Sequence, residues 1–221
     1  MLQDVNVLLE QFKAYPWQSD VAIDIAHDFF ILGSLLSRKP HNILELGIGS
    51  GFVSQMLLAA IRTNRRGTLT SVDSLWDWKG VRPPHFDSIE SGGGRIVIEE
   101  EESFLVRQDS GRYDFIISDG DHVNMYFFID KIFRVAKKDA FIFFHDTNNP
   151  MFSNLLKIEA IVRKAGHPCY HFKDKSAEGE RTDRGLLFVI NSGHGKVNAP
   201  LHHKLKYKYK KFKKQRKMRR K

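Results

Sequence analysis

The spacing of apolar positions changes near residue 40. Residues 2–15 and 20–37 carry them at helical intervals, with Ser19 placed to cap the second helix and Pro16 between the two. Short apolar runs follow, giving five strand candidates at residues 42–46 (NILEL), 67–73 (GTLTSVD), 95–98, 113–119 (YDFIISD) and 140–145 (AFIFFH). Helical spacing returns between them at 52–62 and 124–135, and afterwards at 153–165. Within 124–135, Met125, Ile129 and Phe133 share one stripe and Phe128, Ile132 and Val135 its neighbour, which predicts a broad buried face. Alternation of helices with wholly apolar strands predicts a parallel sheet covered on both sides. The last two strands, 169–173 and 186–190 (LLFVI), are joined by the polar stretch DKSAEGERTDRG without a helix. They are expected to form an antiparallel hairpin at the sheet edge.

Length and charge divide the chain unequally. Its 221 residues suffice for one domain with a core that needs no disulfide or structural metal. Cys169 is the lone cysteine, which excludes an internal disulfide framework and a cysteine zinc cluster and fits a reducing compartment. MLQDVNVLLEQFK has neither a basic start nor a cleavage site, so no export signal is expected. The most apolar long stretch, VAIDIAHDFFILGSLL, is interrupted by Asp24, His27 and Asp28, which argues against a membrane span. A cytoplasmic protein is the resulting expectation. The net charge of +9 arises from residues 201–221, which hold twelve Lys or Arg and no acid, leaving 23 basic and 26 acidic residues before them. The chain is therefore read as a body over 1–192, with N-terminal helices over 1–40, and a basic, disordered tail over 193–221 entered through a linker at 193–200.

Candidate chemistry gathers at the predicted strand ends. ILELGIGSGF at 43–52 places glycines at 47, 49 and 51, where a sharp turn can bring backbone N–H groups to a ligand at a helix N-terminus. Asp73 closes the second strand, where an acid can accept hydrogen bonds from ribose hydroxyls. A dinucleotide-binding GxGxxG would require its third glycine at position 52, which is Phe52, and this shifts the expectation toward another adenosine-containing ligand. SDGDH (118–122) and FHD (144–146) end the fourth and fifth strands.

These motifs, ELGIGSG at 45–51, SVD at 71–73, SDGDH and FHD, in this order resemble the class I S-adenosylmethionine (SAM) dependent methyltransferases. More narrowly they are similar to small O-methyltransferases with DGDH and HD strand ends, over about residues 20–191. The resemblance implies a Rossmann-like α/β fold: a seven-stranded sheet with helices on both faces and an antiparallel last strand. It implies that Gly47, Gly49, Ser50 and Gly51 face the methionine part of SAM with Glu45 in support, that Asp73 holds the ribose, and that Glu102 or Ser103 contacts adenine. Asp119 also falls in this cofactor set. Asn124 stands where the related pattern has Tyr, and KKDA (137–140) replaces a Pro-Gly-Gly turn; Asp130 sits where that helix usually carries an acid.

Two chemistries suit the strand tips. By analogy with metal-dependent catechol and macrolide-sugar O-methyltransferases, Asp119, His145 and Asp146 would hold Mg²⁺ and lower the pKa of an acceptor hydroxyl. Alternatively His122 or His145 takes the hydroxyl proton, with Asp119 beside it. Trp76 and Trp78 would wall an aromatic group or pack a lid, and 79–94 reads as a mobile loop closing over substrate. A small molecule or sugar is the implied acceptor. In residues 201–221 Tyr207, Tyr209 and Phe212 interleave with cations, which suits RNA or an anionic membrane surface. RNA-directed methylation, a non-catalytic binding module and self-association as a homo-oligomer stand as alternatives.

Overall fold

The computed structural model describes residues 25–173 and 184–218. The expected helix over 2–15, the start of the one over 20–37 and most of DKSAEGERTDRG lie outside these residues. In chain order the elements are α1 (Ile25–Arg38), β1 (Asn42–Leu46), α2 (Phe52–Asn64), β2 (Thr68–Asp73), α3 (His85–Ser91), β3 (Arg95–Ile98), α4 (Glu101–Arg107) and β4 (Tyr113–Ser118). There follow α5 (Met125–Val135), β5 (Ala136–His145), a short 3₁₀ turn (Leu155–Lys157) leading into α6 (Ile158–Lys164), β6 (Cys169–Phe172), β7 (Leu186–Ile190) and α7 (Leu201–Met218).

The seven strands form one sheet in the order β3-β2-β1-β4-β5-β7-β6. The first five are mutually parallel, while β7 runs antiparallel to β5 and to β6. The expected late hairpin is present, with β7 inserted beside β5 and β6 at the edge. Strand residues alternate between two cores, as a side-chain period of two requires. Leu44, Leu46, Ile116, Ile142 and Phe144 pack with α4, α5 and α6 on one face. Ile43, Phe115, Ile117 and Phe143 pack with α1, α2 and α3 on the other. Each such side chain, removed from water, contributes about 1.5–3 kcal/mol. From β1 and β4 the chain steps outward in opposite directions, so a crevice opens at their carboxyl ends.

Four expectations differ from the structure. Residues 79–94 contain α3, whose Phe86 and Ile89, three apart on one helical face, are fully buried. That burial anchors the segment to the core. The stretch 193–200 is not a free linker, because Val197 and Ala199 are buried in the core beside α5 and α6. Residues 201–218 are helical, and α7 lies against the body: Lys204 pairs with Asp130 at 2.8 Å, and the Tyr207 hydroxyl donates to Glu102 at 3.0 Å. The Tyr207 ring stacks on Phe127 with centroids 4.8 Å apart. A basic composition predicts solvation, but these acids and this aromatic face are contributed by distant parts of the chain. Finally, β5 starts earlier than expected, and Asp139 of KKDA adopts a left-handed φ of 63°, a conformation Asp tolerates.

Candidate active site

A cavity of about 640 Å³ occupies the crevice. Its near wall is the β1–α2 loop, where Gly47, Gly49 and Ser50 line the space together with Asp73. Gly47 has φ 88°, and a Cβ there would stand 2.5 Å from Gly120 Cα, so the loop and the end of β4 approach too closely for any other residue. Gly51 faces outward from the cavity, against His85 of α3. The His85 ring donates to the Gly49 carbonyl at 3.0 Å, an unpredicted brace on the loop. Asp73 also shapes the loop: its two carboxylate oxygens accept the Ile48 N–H at 3.0 Å and the Leu75 N–H at 2.6 Å.

Glu45 lies fully buried at the end of β1 and accepts hydroxyl hydrogen bonds from Ser54 of α2, at 2.6 Å, and from Ser71 of β2. Burial raises its carboxyl to about 8 despite those hydroxyls, so it is protonated at neutral pH. It ties three elements together beneath the loop.

The four glutamates at 99–102 have four separate roles. Glu99 pairs with Arg107 at the surface, and Glu100 reaches the cavity. Glu101 is buried in the cavity wall, accepts the Asp121 N–H at 2.8 Å, and is raised to about 8 by that burial. Its Oε2 is buried with no partner among the described residues. Glu102, on the far side of α4, receives Lys131 at 3.2 Å and Lys211 at 2.8 Å. Glu102 and Ser103 therefore line a groove beneath α7 and stay out of the main cavity. A helix begins at Glu101, and its 100° turn per residue separates neighbours that look equivalent in sequence.

The cavity floor joins the two strand-end motifs. Asp119 Oδ1 accepts from His122 Nε2 at 3.1 Å and from His145 Nδ1 at 2.8 Å. His122 Nε2 also lies 3.0 Å from Asp146 Oδ2, and Arg184 Nε lies 3.1 Å from Asp146 Oδ1. Asp146 holds a left-handed φ of 57°, which turns its carboxylate back toward the floor. Burial disfavours charge on His122, but its hydrogen bonds to Asp119 and Asp146 prevail and raise it to about 10. Burial likewise opposes ionisation of Asp119, yet the neighbouring His145 charge and the bonds from both histidines hold it well below the usual carboxylate range. Asp146 is lowered in the same way, burial being outweighed by the His122 hydrogen bond.

His122 lines the cavity and stacks on Phe152, with ring centroids 4.7 Å apart. His145 is buried behind Asp119, edge-on to the buried His27 of α1 at 5.7 Å, and does not line the space. It positions Asp119. Arg184, Phe152 and Glu101 were not singled out from the sequence; nothing in their local pattern separates them from ordinary loop, core or surface residues. The two tryptophans part company: Trp78 packs on His85 with centroids 5.4 Å apart, whereas Trp76 stands 73% exposed at the cavity rim.

The site fits both groups that the resemblance implies. One ligand atom each from Asp119, His145 and Asp146 lies within 4.8 Å of the others, the compass of a single cation. Around the loop, Asp73 and the unpartnered Glu101 oxygen offer polar contacts suited to the hydroxyls and amines of SAM.

Residues 44–147 match the family described as a methyltransferase domain. The O-methyltransferase from Bacillus cereus in complex with S-adenosylhomocysteine is similar in structure at a TM-score of 0.62 and 13% identity, with 85% of this chain and 90% of that one covered. The O-methyltransferase TomG from Streptomyces achromogenes, involved in tomaymycin synthesis and complexed with SAM, gives 0.62 at 12% identity over 90% and 89% of the two chains. Precorrin-6y C5,15-methyltransferase from Geobacter metallireducens gives 0.57 at 14% identity over 80% and 93%. No curated protein matches the chain in sequence. The domain match and the shared fold support a class I SAM-dependent methyltransferase.

Proposed function

We propose that this chain transfers the methyl group of SAM to an oxygen of a small molecule, with Asp119 orienting the acceptor hydroxyl. The observation that carries this reading is the bonded cluster of Asp119, His122 and Asp146 in the same cavity as the Gly47 loop and Asp73. Bound SAM supplies an electrophilic methyl carbon on a positive sulfonium. Asp73 receives the ribose hydroxyls, and Glu101, as a neutral acid, donates from its buried Oε2 side to the adenosine end. The ionised Asp119 accepts the hydroxyl hydrogen bond and aims the oxygen at the methyl carbon. As the O–C bond forms and the C–S bond breaks, the hydroxyl proton passes to the Asp119 carboxylate, which His122 and His145 hold in place, and from there to solvent.

A divalent cation held by Asp119, His145 and Asp146 would lower the pKa of that hydroxyl, and the close approach of the three ligand atoms favours this second reading. Holding such a cation would require His122 to give up its bonds to both carboxylates. The neighbours that methylate oxygen support an O-acceptor, while the precorrin enzyme on the same fold methylates carbon; the acidic, hydrogen-bonding floor favours a hydroxyl.

Calorimetric titration with SAM tests the reading. Wild type is expected to bind, and Asp73→Ala to bind at least about tenfold more weakly, as loss of a charged hydrogen-bond acceptor predicts. Equal affinity removes the ribose assignment, and no binding by wild type would leave a non-catalytic module. With acceptor turnover in hand, a chelator separates the two proton chemistries: unchanged rate leaves the Asp119–His122 pair alone, and loss restored by Mg²⁺ assigns the cation.

A further inference from the structure

We propose that α7 seats the protein on an anionic lipid bilayer, with its outward face laid among the headgroups. In a helix of 3.6 residues per turn, steps of four, eight and eleven residues fall within roughly 80° of the starting direction. Leu201, Leu205, Tyr209 and Phe212 occupy those positions, and they are 73%, 58%, 66% and 62% exposed. The opposite side of the same helix is held to the body by Lys204 on Asp130, Tyr207 on Phe127, and Tyr207 and Lys211 on Glu102. Docking therefore fixes the helix so that its apolar stripe points outward.

A helix evolved only to pack on the body would turn such a stripe inward, since burial of its apolar area is what stabilises docking. Here the body is gripped through the polar side instead. Lys206 and Lys213 border one edge of the stripe and Lys208 the other, and residues 201–221 contain no acid. Apolar residues flanked by cations on a face that looks into solvent match the interfacial region of a bilayer, where acyl chains meet anionic headgroups. No helix among the described residues is long and apolar enough to cross a membrane, so the contact lies in the plane of the surface. Nucleic acid fits less well. Leu201 and Leu205 have no ring on which a base can stack, and the ring of Tyr207 is already covered by Phe127.

Flotation of the full chain with vesicles tests this, using phosphatidylcholine alone and phosphatidylcholine mixed equally with phosphatidylserine. Wild type is expected to float with the mixed vesicles and not with the neutral ones, and added salt to weaken binding. The exposed double substitution Leu205→Ser with Phe212→Ser should reduce binding on the order of tenfold while SAM affinity and thermal melting stay unchanged. Equal flotation by this variant would overturn the proposal. So would retention on single-stranded RNA without flotation, or a dimer in sedimentation that dissolves in the double variant.

Discussion

The cavity floor and α7 are both dense in charge, and they manage it in opposite ways. On the floor Asp119 and Asp146 each meet side-chain nitrogens at hydrogen-bond distance: Asp119 those of His145 and His122, Asp146 those of His122 and Arg184. Burial makes that pairing obligatory, because an unpaired buried charge costs several kcal/mol. On α7, Lys204 and Lys211 are matched, but Lys206, Lys208, Lys210 and Lys213 form no ion pair among the described residues. Solvent tolerates the surplus. Charge on the floor is balanced within the protein, whereas charge on the outer side of α7 is left to solvent.

Substitutions can break this contrast at either end. Asp119→Asn should have the largest effect, since it removes the charge that organises both histidines; turnover is expected to fall on the order of 10²-fold, measured with labelled SAM and a hydroxyl acceptor. A rate within a few-fold of wild type would show that the paired floor is structural. A smaller effect is expected for Glu102→Gln, which weakens the matched part of α7 by about 1 kcal/mol and should speed tryptic cleavage within the helix. The same contact predicts a pH dependence. Burial alone would raise Glu102, but Lys211 and Lys131 favour its ionised form and bring it below 4.5. Docking should therefore be intact above about pH 4.5 and fade as pH falls through the lowered value, visible as faster cleavage by an acid protease.

The smallest effect on turnover is expected at Glu45, which bears no charge at neutral pH and lies beneath the loop. Its carboxyl titrates near 4.5 when unfolded and about 8 when folded, so the folded state binds the extra proton between them and stability declines as pH rises across that window. Glu45→Gln keeps an acceptor for Ser54 and Ser71 and should flatten this part of the stability profile, measured by thermal melting from pH 5 to pH 8.

Much of the fold was legible in the sequence because it depends on local periodicity. Residues 42–46, 95–98 and 186–190 begin and end where their apolar runs do. Asp119, His122, Asp146, Asp73 and the Gly47 loop could be nominated because each ends a recognisable strand. Which of four identical glutamates reach the cavity could not be chosen, since the register of α4 is fixed only when Phe104 and Leu105 find the core. His145 stands beside Asp146 in the motif, but β5 ends at His145 and the chain turns through a left-handed φ at Asp146, so only Asp146 lines the cavity. The tail was read from composition as disordered, because no local pattern reveals that Asp130, Glu102 and Phe127 wait for it on α5 and α4.

The alternation of strands and helices, the two-sided core and the chemical types at the strand tips all follow from spacings of a few residues along the chain. Tertiary structure decided which of those tips share a cavity, that Glu101 and not Glu102 reaches it, that His145 serves from behind Asp119, and that α7 turns its apolar stripe outward. Each of these depends on groups far apart in the chain meeting within a few ångströms, where burial and charge pairing act and sequence distance does not.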